Sequence, residues 1–170
     1  MYSIDRSKDT PEQLGRIGEA KFRQYADVMS IPYLWIDQAR ETMPAWLRSY
    51  GTGDGKRPDA VVGTGEDVLL VEVEYRGHLD AWGGEHFALD KKDAERLAET
   101  ERLLGTPVVL AYRDSKEQEG DWYGLLLSEA LAMGRPKESQ FGSYYAIKKD
   151  AFESLEAYLD RGSTKARRLF

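Results

Sequence analysis

The chain contains no cysteine, so its 170 residues form no disulfide bond and offer no thiolate for metal binding. It has no apolar run long enough to span a membrane, and residues 1–6 lack the apolar core of a signal peptide. These absences predict a protein of the cytoplasm that makes no contact with a membrane. An excess of positive charge is also missing, because 24 basic residues oppose 30 acidic ones for a net charge of −6. This balance disfavours a broad surface that coats nucleic acid, although a local basic site remains compatible with it.

Two strand-like runs in the middle of the chain carry three carboxylates. The first run begins at Asp59, and the second covers residues 67–75 and contains Glu72 and Glu74, with a glycine-rich turn between the runs. Because residues two apart on a strand point to the same face, the two glutamates project side by side. Like charges on one face repel each other, and their burial is costly without a cation. The pattern therefore predicts a site for a hard divalent cation.

The spacing of these carboxylates resembles the core motif of the PD-(D/E)XK nuclease superfamily. Pro58-Asp59 is followed, after twelve residues, by Glu72-x-Glu74. The superfamily carries Pro-Asp on one strand and (Asp/Glu)-x-Lys on the next, and some of its restriction enzymes have glutamate at the lysine position, as here. The resemblance implies hydrolysis of DNA phosphodiester bonds with Mg²⁺ or Mn²⁺, with RNA not excluded and a homodimer left open. Asp59 and Glu72 would hold the ion, and Glu74 would bind a second ion or orient the attacking water.

A different class of function is also compatible with the chain. It could keep the nuclease-like fold without catalysis and bind nucleic acid or a protein partner. The acidic net charge and the absence of the strand lysine favour this alternative. The presence of Asp59, Glu72 and Glu74 together argues against it, because an inactive module does not need three costly carboxylates.

An N-terminal helix is predicted by the capping sequence of residues 10–13, which combines an N-cap threonine, a proline at the first helical position and a glutamine three residues after the cap. The residues that recur at helical spacing and should form its buried stripe are Leu14, Ile17, Tyr25 and Val28. Gly15 and Gly18 would allow a close approach of another backbone. Glu19 lies at the edge of the stripe. The resemblance implies that it reaches the metal site, and the simpler interpretation is a glutamate on the rim of an amphipathic helix.

A second helix is predicted from about Glu85 to Leu104, after a glycine-rich connection. Lys91 falls on its sheet-facing side and Lys92 does not. A lysine that faces the core needs a carboxylate partner. The resemblance suggests that Lys91 replaces the lysine missing from the strand, because this residue has moved to the helix in some members of the superfamily. The alternative is that Lys91 extends from the first turn into water.

A basic and aromatic segment lies between residues 39 and 57 of this acidic chain. It could contact phosphates and stack on bases, or Trp46 and Leu47 could cap the core while the arginines are solvated. The residues that we expect to contact nucleic acid here and after the second strand are Arg48, Lys56, Arg57, Arg76 and His78.

The order of predicted elements is helix, strand, strand, strand, helix, strand, followed by strand–helix additions. This order predicts a mixed α/β sheet flanked by helices on both faces, and it is also the order of the restriction-endonuclease-like fold. We expect one domain over residues 1–170, with a core at about 10–113, additions at 114–162 and a basic tail at 163–170. Within the additions, residues 144–147 are predicted as an edge strand and Asp150 as the cap of a last helix.

Overall fold

The computed structural model of the chain describes residues 10–38, 56–65, 67–140 and 142–159. Arg48, most of the basic segment and the basic tail lie outside the described residues, so the predictions made for them stay predictions. No helix within the described ranges has the length and apolar character needed to cross a membrane.

A six-stranded mixed sheet forms the centre of the protein. In spatial order its strands are β1 (Tyr33–Trp35), β2 (Ala60–Gly63), β3 (Val68–Arg76), β6 (Val108–Asp114), β7 (Trp122–Leu126) and β10 (Glu153–Ser154). β3 and β6 run parallel to each other, and the other neighbours are antiparallel. Both strands of the parallel pair are covered on both faces, which accounts for their almost continuous apolar sequence.

A second sheet contains four antiparallel strands. In spatial order they are β4 (Leu79–Ala81), β5 (Gly84–Asp90), β9 (Gly142–Lys148) and β8 (Arg135–Ser139). The prediction of a helix from Glu85 is therefore wrong for its first turn and a half. Phe87 and Leu89 alternate with outward residues as in a strand, and a turn with positive φ at Trp82 and Gly83 joins β4 to β5. The prediction of an edge strand at residues 144–147 is also wrong, because β9 pairs with a strand on each side.

Helices cover both faces of the central sheet, as predicted. They are α1 (Pro11–Val28), α2 (Lys91–Leu104) and α3 (Leu127–Met133). One face packs on α1 in a cluster that includes Val71 and Val109, and the other packs on α2, α3 and the inner side of the second sheet. α2 begins where Asp90 accepts a hydrogen bond from Asp93 N at 3.0 Å, and it ends at Gly105 in the left-handed conformation.

α1 begins at the predicted residue but buries a different stripe. Thr10 and Gln13 exchange the two hydrogen bonds of a capping box. The residues of α1 that are buried are Gly18, Phe22 and Ala26, whereas Val28, predicted to be buried, is 75% exposed. The reason is the close contact of Gly18 with Tyr75 of β3, which sets the side of the helix that faces the sheet.

The C-terminal part of the described chain contains a 3₁₀ turn, the short strand β10 and a short helix. Asp150 lies in a 3₁₀ turn, Lys149–Ala151, and does not cap the last helix as predicted. That helix covers residues 155–159 of the described chain, and Ser154 Oγ accepts a hydrogen bond from Ala157 N at 3.3 Å at its start. The predicted burial of Phe152, together with that of the two leucines of this helix, is confirmed.

Candidate active site

Asp59 is held at the start of β2 by three hydrogen bonds with backbone groups of β3 and of the segment after β1. Its own N–H donates to Val71 O at 2.9 Å, and its carbonyl accepts from Ile36 N at 2.8 Å. Its side-chain Oδ2 accepts from Val73 N at 2.8 Å. Since Ala60 lies opposite Val71 in the β2–β3 ladder, Asp59 lies next to Glu72. The ladder therefore positions the Asp59 carboxylate beside the first glutamate of β3.

The three predicted carboxylates are buried together and repel one another. Glu72 is only 2% exposed, and Asp59 and Glu74 are also buried. Burial raises the pKa of Asp59 to about 7, with a bond from Val73 N and the Lys56 charge acting against it and the Glu19 and Glu74 charges adding to it. Burial, followed by the charge of Asp59, raises the pKa of Glu72 well above its usual range. The cluster is therefore short of positive charge.

The negative charge of Glu19, on the neighbouring helix, contributes to the raised pKa of Asp59. Glu19 lies one residue after Gly18, whose contact with β3 brings α1 close to the sheet, and it is half-buried. α1 therefore adds a fourth negative charge near the cluster. The contact between Gly18 and Tyr75 is thus what places Glu19 near the site.

The ammonium group beside Glu72 belongs to Lys56. Lys56 Nζ contacts Glu72 Oε1 and lies 2.9 Å from Asp93 Oδ2, while Thr100 Oγ1 donates to Lys56 O at 3.0 Å. Burial alone would lower the pKa of Lys56, but the charges of Glu72, Glu74 and Asp93 raise it overall. Two residues of α2, Asp93 and Thr100, therefore hold Lys56 against the carboxylates.

The structure does not bring Lys91 to this place. Among the described residues, no hydrogen bond or ion pair joins it to Glu72 or Glu74, and it borders a concavity with Gly142 and Ser143 of β9. Lys91 is the first residue of α2, and helical side chains lean toward the N-terminal end of their helix. Its side chain is therefore directed past the start of the helix.

Glu74 also has a basic partner. Arg76 Nη2 lies 2.6 Å from Glu74 Oε2, and Arg76 Nη1 donates to Ala88 O at 3.4 Å. Arg76 thus links the carboxylate cluster to β5 of the second sheet. Arg57, another predicted phosphate contact, is buried and presents little surface to a substrate.

Comparison with known proteins finds no matching family model and no matching curated protein. Among solved structures, the chain is similar to Hjc of Archaeoglobus fulgidus, a Holliday junction resolvase from an archaeal hyperthermophile, with a TM-score of 0.55 and 14% identity over 85% of this chain and 99% of Hjc. It is also similar to D212, a nuclease from a fusselovirus, with a TM-score of 0.50 and 12% identity over 98% of this chain and 97% of D212. The fold is restriction-endonuclease-like. At these identities the similarity shows the fold alone, and it confirms the predicted fold class.

In this restriction-endonuclease-like fold, the carboxylate oxygens suit a divalent cation. Glu72 Oε1 contacts Lys56, but Glu72 Oε2 is buried and has no hydrogen-bond partner among the described residues. A buried carboxylate oxygen without a partner is costly, and Mg²⁺ and Mn²⁺ prefer oxygen ligands of this kind. Asp59, beside it, carries charge that burial disfavours. The residues present therefore fit the metal that the fold implies.

A second cluster of ionisable groups lies beyond the end of β3. His78 Nδ1 is 2.5 Å from Oδ2 of the fully buried Asp114, and His78, Glu85 and Asp114 are close enough to share a metal ion. Lys149 Nζ, however, lies 3.0 Å from both Asp114 Oδ2 and Glu85 Oε2. The ammonium of Lys149 therefore already supplies the positive charge there. His78, predicted to contact phosphate, is a partner of a buried carboxylate.

Proposed function

We propose that the protein is a metal-dependent nuclease that hydrolyses phosphodiester bonds of DNA. The observation that carries the proposal is the buried group of Asp59, Glu72 and Glu74, with Lys56 beside it and one carboxylate oxygen of Glu72 without a partner among the residues that the structure describes. The similarity in fold to a Holliday junction resolvase and to a viral nuclease supports it.

Each residue of the site has a distinct role in this proposal. Asp59 and Glu72 would hold Mg²⁺ or Mn²⁺, and such an ion lowers the pKa of a bound water and offsets negative charge on the phosphate. Glu74, which is oriented by Arg76 through Oε2, can accept a hydrogen bond from the attacking water through Oε1. Lys56 can donate to the phosphate oxygens as their charge grows. Glu19 adds negative charge near Asp59 and favours retention of the cation.

The test measures cleavage of labelled DNA by the wild-type protein and by Asp59→Asn and Glu72→Gln. The substrates are single-stranded, duplex, flapped and four-way-junction DNA and the corresponding RNAs, each with Mg²⁺, with Mn²⁺ and with a chelator. We expect cleavage only with metal and its loss in both variants, while thermal melting shows that both remain folded. Glu99→Gln, on the exposed side of α2, is the matched carboxylate control and should cleave normally. Equal rates for the wild type and both site variants would contradict the proposal.

A second candidate function is a non-catalytic module that binds nucleic acid or a protein. The ion pairs from Lys56 to Glu72 and from Arg76 to Glu74 favour it, because they neutralise two carboxylates without a metal. Calorimetric titration with Mn²⁺ separates the candidates. A binding isotherm that disappears in Glu72→Gln supports the nuclease, whereas the absence of both heat and cleavage supports the module.

A further inference from the structure

The outward side of the four-stranded sheet carries mainly positive charge. Strand alternation places Phe87, Leu89 and Ile147 on the inner side, in the core. The basic residues on the outward side, which we call the outer face, are Arg135, Lys137 and Lys148. Asp90 is the acidic residue of the paired strands on this face, and its carboxylate caps α2. A basic face on a chain of net charge −6 is suited to a polyanion.

A cavity opens on the outer face between two of these basic residues. It has a volume of about 310 Å³ and is lined by His86, Met133, Arg135, Ala146, Lys148, Asp150 and Ala151. Arg135 and Lys148 have no ion-pair partner among the residues that the structure describes. His86, which lines the floor of the cavity, is 1% exposed, and its Nδ1 lies 3.1 Å from Gly84 O. Two cations, Arg135 and Lys148, and one carboxylate, Asp150, therefore line the cavity, so the cavity carries a net positive charge and can bind an anion.

An exposed indole lies on the same face. Trp82, in the turn between β4 and β5, is 48% exposed and meets the ring of His86 edge-on at 5.4 Å. Lys137 Nζ lies 4.2 Å from the centre of the indole. The backbone of Trp82 adopts a positive φ of 51°, which is rare for a large residue and is part of the turn that exposes the indole. An exposed aromatic ring among cations is the usual platform on which proteins stack unpaired bases.

Arg76 connects the strand that carries the outer face to the candidate active site. Ala88, whose side chain belongs to the outer face, accepts a hydrogen bond through its carbonyl from Arg76, and Arg76 contacts Glu74. β4 pairs with residues 84–86 of β5 in the described structure, and the carbonyl of Ala88 accepts hydrogen bonds from both Arg76 and the Tyr112 hydroxyl. Arg76 is thus the one residue between Glu74 of the proposed phosphodiester site and Ala88 of the outer face.

We propose that the outer face binds a single-stranded segment of the nucleic acid substrate. A phosphate would occupy the cavity between Arg135 and Lys148, and a base would stack on Trp82. A single strand is the occupant because bases within an intact duplex are stacked on one another and cannot lie on the indole. This inference rests on the proposed function, since the strand bound here is the one whose continuation reaches Glu72.

The experiment measures the Kd of a labelled single-stranded oligonucleotide and of a blunt duplex by fluorescence anisotropy, in the cleavage-deficient Asp59→Asn background. Trp82→Ala should weaken single-strand binding by about tenfold, within the range for loss of one stacked base, and leave duplex binding unchanged. Arg135→Gln with Lys148→Gln should also weaken it and lower the slope of log Kd against log salt by about 0.7, as expected for the loss of one phosphate contact with a single strand. Trp82→Phe should restore most of the affinity, which separates stacking from a folding defect.

Lys92→Gln with Arg102→Gln, on the exposed side of α2, removes the same charge and should bind as the parent does. The proposal is overturned if the parent fails to bind the single strand, or if the Trp82 and Arg135/Lys148 variants bind it as tightly as the parent. Its failure is distinct from that of the proposed function. If Asp59→Asn does not cleave but the outer-face variants bind the single strand normally, the binding role of the outer face is rejected and the nuclease proposal stands. If Asp59→Asn still cleaves, the proposed nuclease site is rejected.

Discussion

At the scale of single residues, the contact between Lys56 and Glu72 defines the chemistry of the site. A buried carboxylate between two others carries a charge that burial disfavours, and Lys56 offsets it from outside the strand pair. The carboxylates were predictable because alternation along β3 and the length of the turn bring them together. Lys56 was not predictable in this role, because its path depends on Asp93 and Thr100, which follow it by 37 and 44 residues.

Replacement of Lys56 tests this pairing. Lys56→Met should lower the free energy of unfolding of the metal-free protein by about 1–3 kcal/mol, because it leaves a buried carboxylate without its donor. Urea unfolding measures the change. Adding Glu72→Gln to this variant should recover part of the loss, since the double variant no longer contains the unpaired charge.

Lys91→Met is the control for position on α2. It should change neither stability nor the cleavage rate, because Lys91 has no ion pair with the carboxylates in the described structure.

Lys56→Met should reduce kcat by more than it changes KM, the pattern of a contact made mainly in the transition state. If Lys91→Met loses activity and Lys56→Met cleaves normally, the catalytic lysine is Lys91 of α2 and not Lys56.

At the scale of elements, the short stretch before α2 shows where sequence patterns are ambiguous. Glu85–Asp90 contains two large apolar residues two apart, which suits a strand, but it runs directly into a strong helical pattern. The structure ends the strand at Asp90 because that residue caps α2. α1 was easier to predict, since its capping residues are adjacent in sequence. Its buried side was not, because that depends on Tyr75 of a distant strand.

Two glycines of α1 offer a matched pair of substitutions. Gly18→Ala should destabilise the protein by about 1–3 kcal/mol, because the added Cβ would overlap Tyr75 Cβ. Gly15→Ala meets open space and should stabilise it by about 0.5–1 kcal/mol, since glycine is unfavourable within a helix. Thermal and urea unfolding of both variants provide the measurement. Equal effects of the two substitutions would show that α1 does not pack on β3 through Gly18.

At the scale of the whole molecule, the cluster around Asp114 ties the two sheets together. Asp114 ends β6 of the central sheet, and its carboxylate contacts His78 before β4 and Lys149 after β9. Burial by itself would raise the pKa of Asp114, but bonds from His78, Lys116 N–H and Lys149 lower it overall. No local pattern predicts this cluster, because its members come from three separate regions of the chain.

The lowered pKa of Asp114 predicts how its contribution to stability depends on pH. The ionised carboxylate stabilises the folded state above its unfolded pKa of about 3.9, and this contribution is lost as the pH falls through the lower folded value. Asp114→Asn should therefore cost about 3 kcal/mol near pH 6, and the difference from the wild type should shrink from pH 4 downward. Urea unfolding between pH 6 and pH 2 measures it. Asp80→Asn, an exposed member of the cluster, should have little effect, and a pH-independent cost for Asp114→Asn would contradict the prediction.

The pairing of β5 with β9 has a consequence for how the chain folds during synthesis. Asp90 of β5 pairs with Tyr144 of β9, which lies 54 residues further along the chain. The ribosome therefore releases β5, with Phe87 and Leu89, well before the strand that completes its ladder exists. Contacts of such sequence separation form slowly, and an unpaired strand with exposed apolar side chains is prone to aggregate in the interval. Chains that stop before β9 should accordingly be handed to chaperones or degraded, although they already contain every carboxylate of the candidate active site.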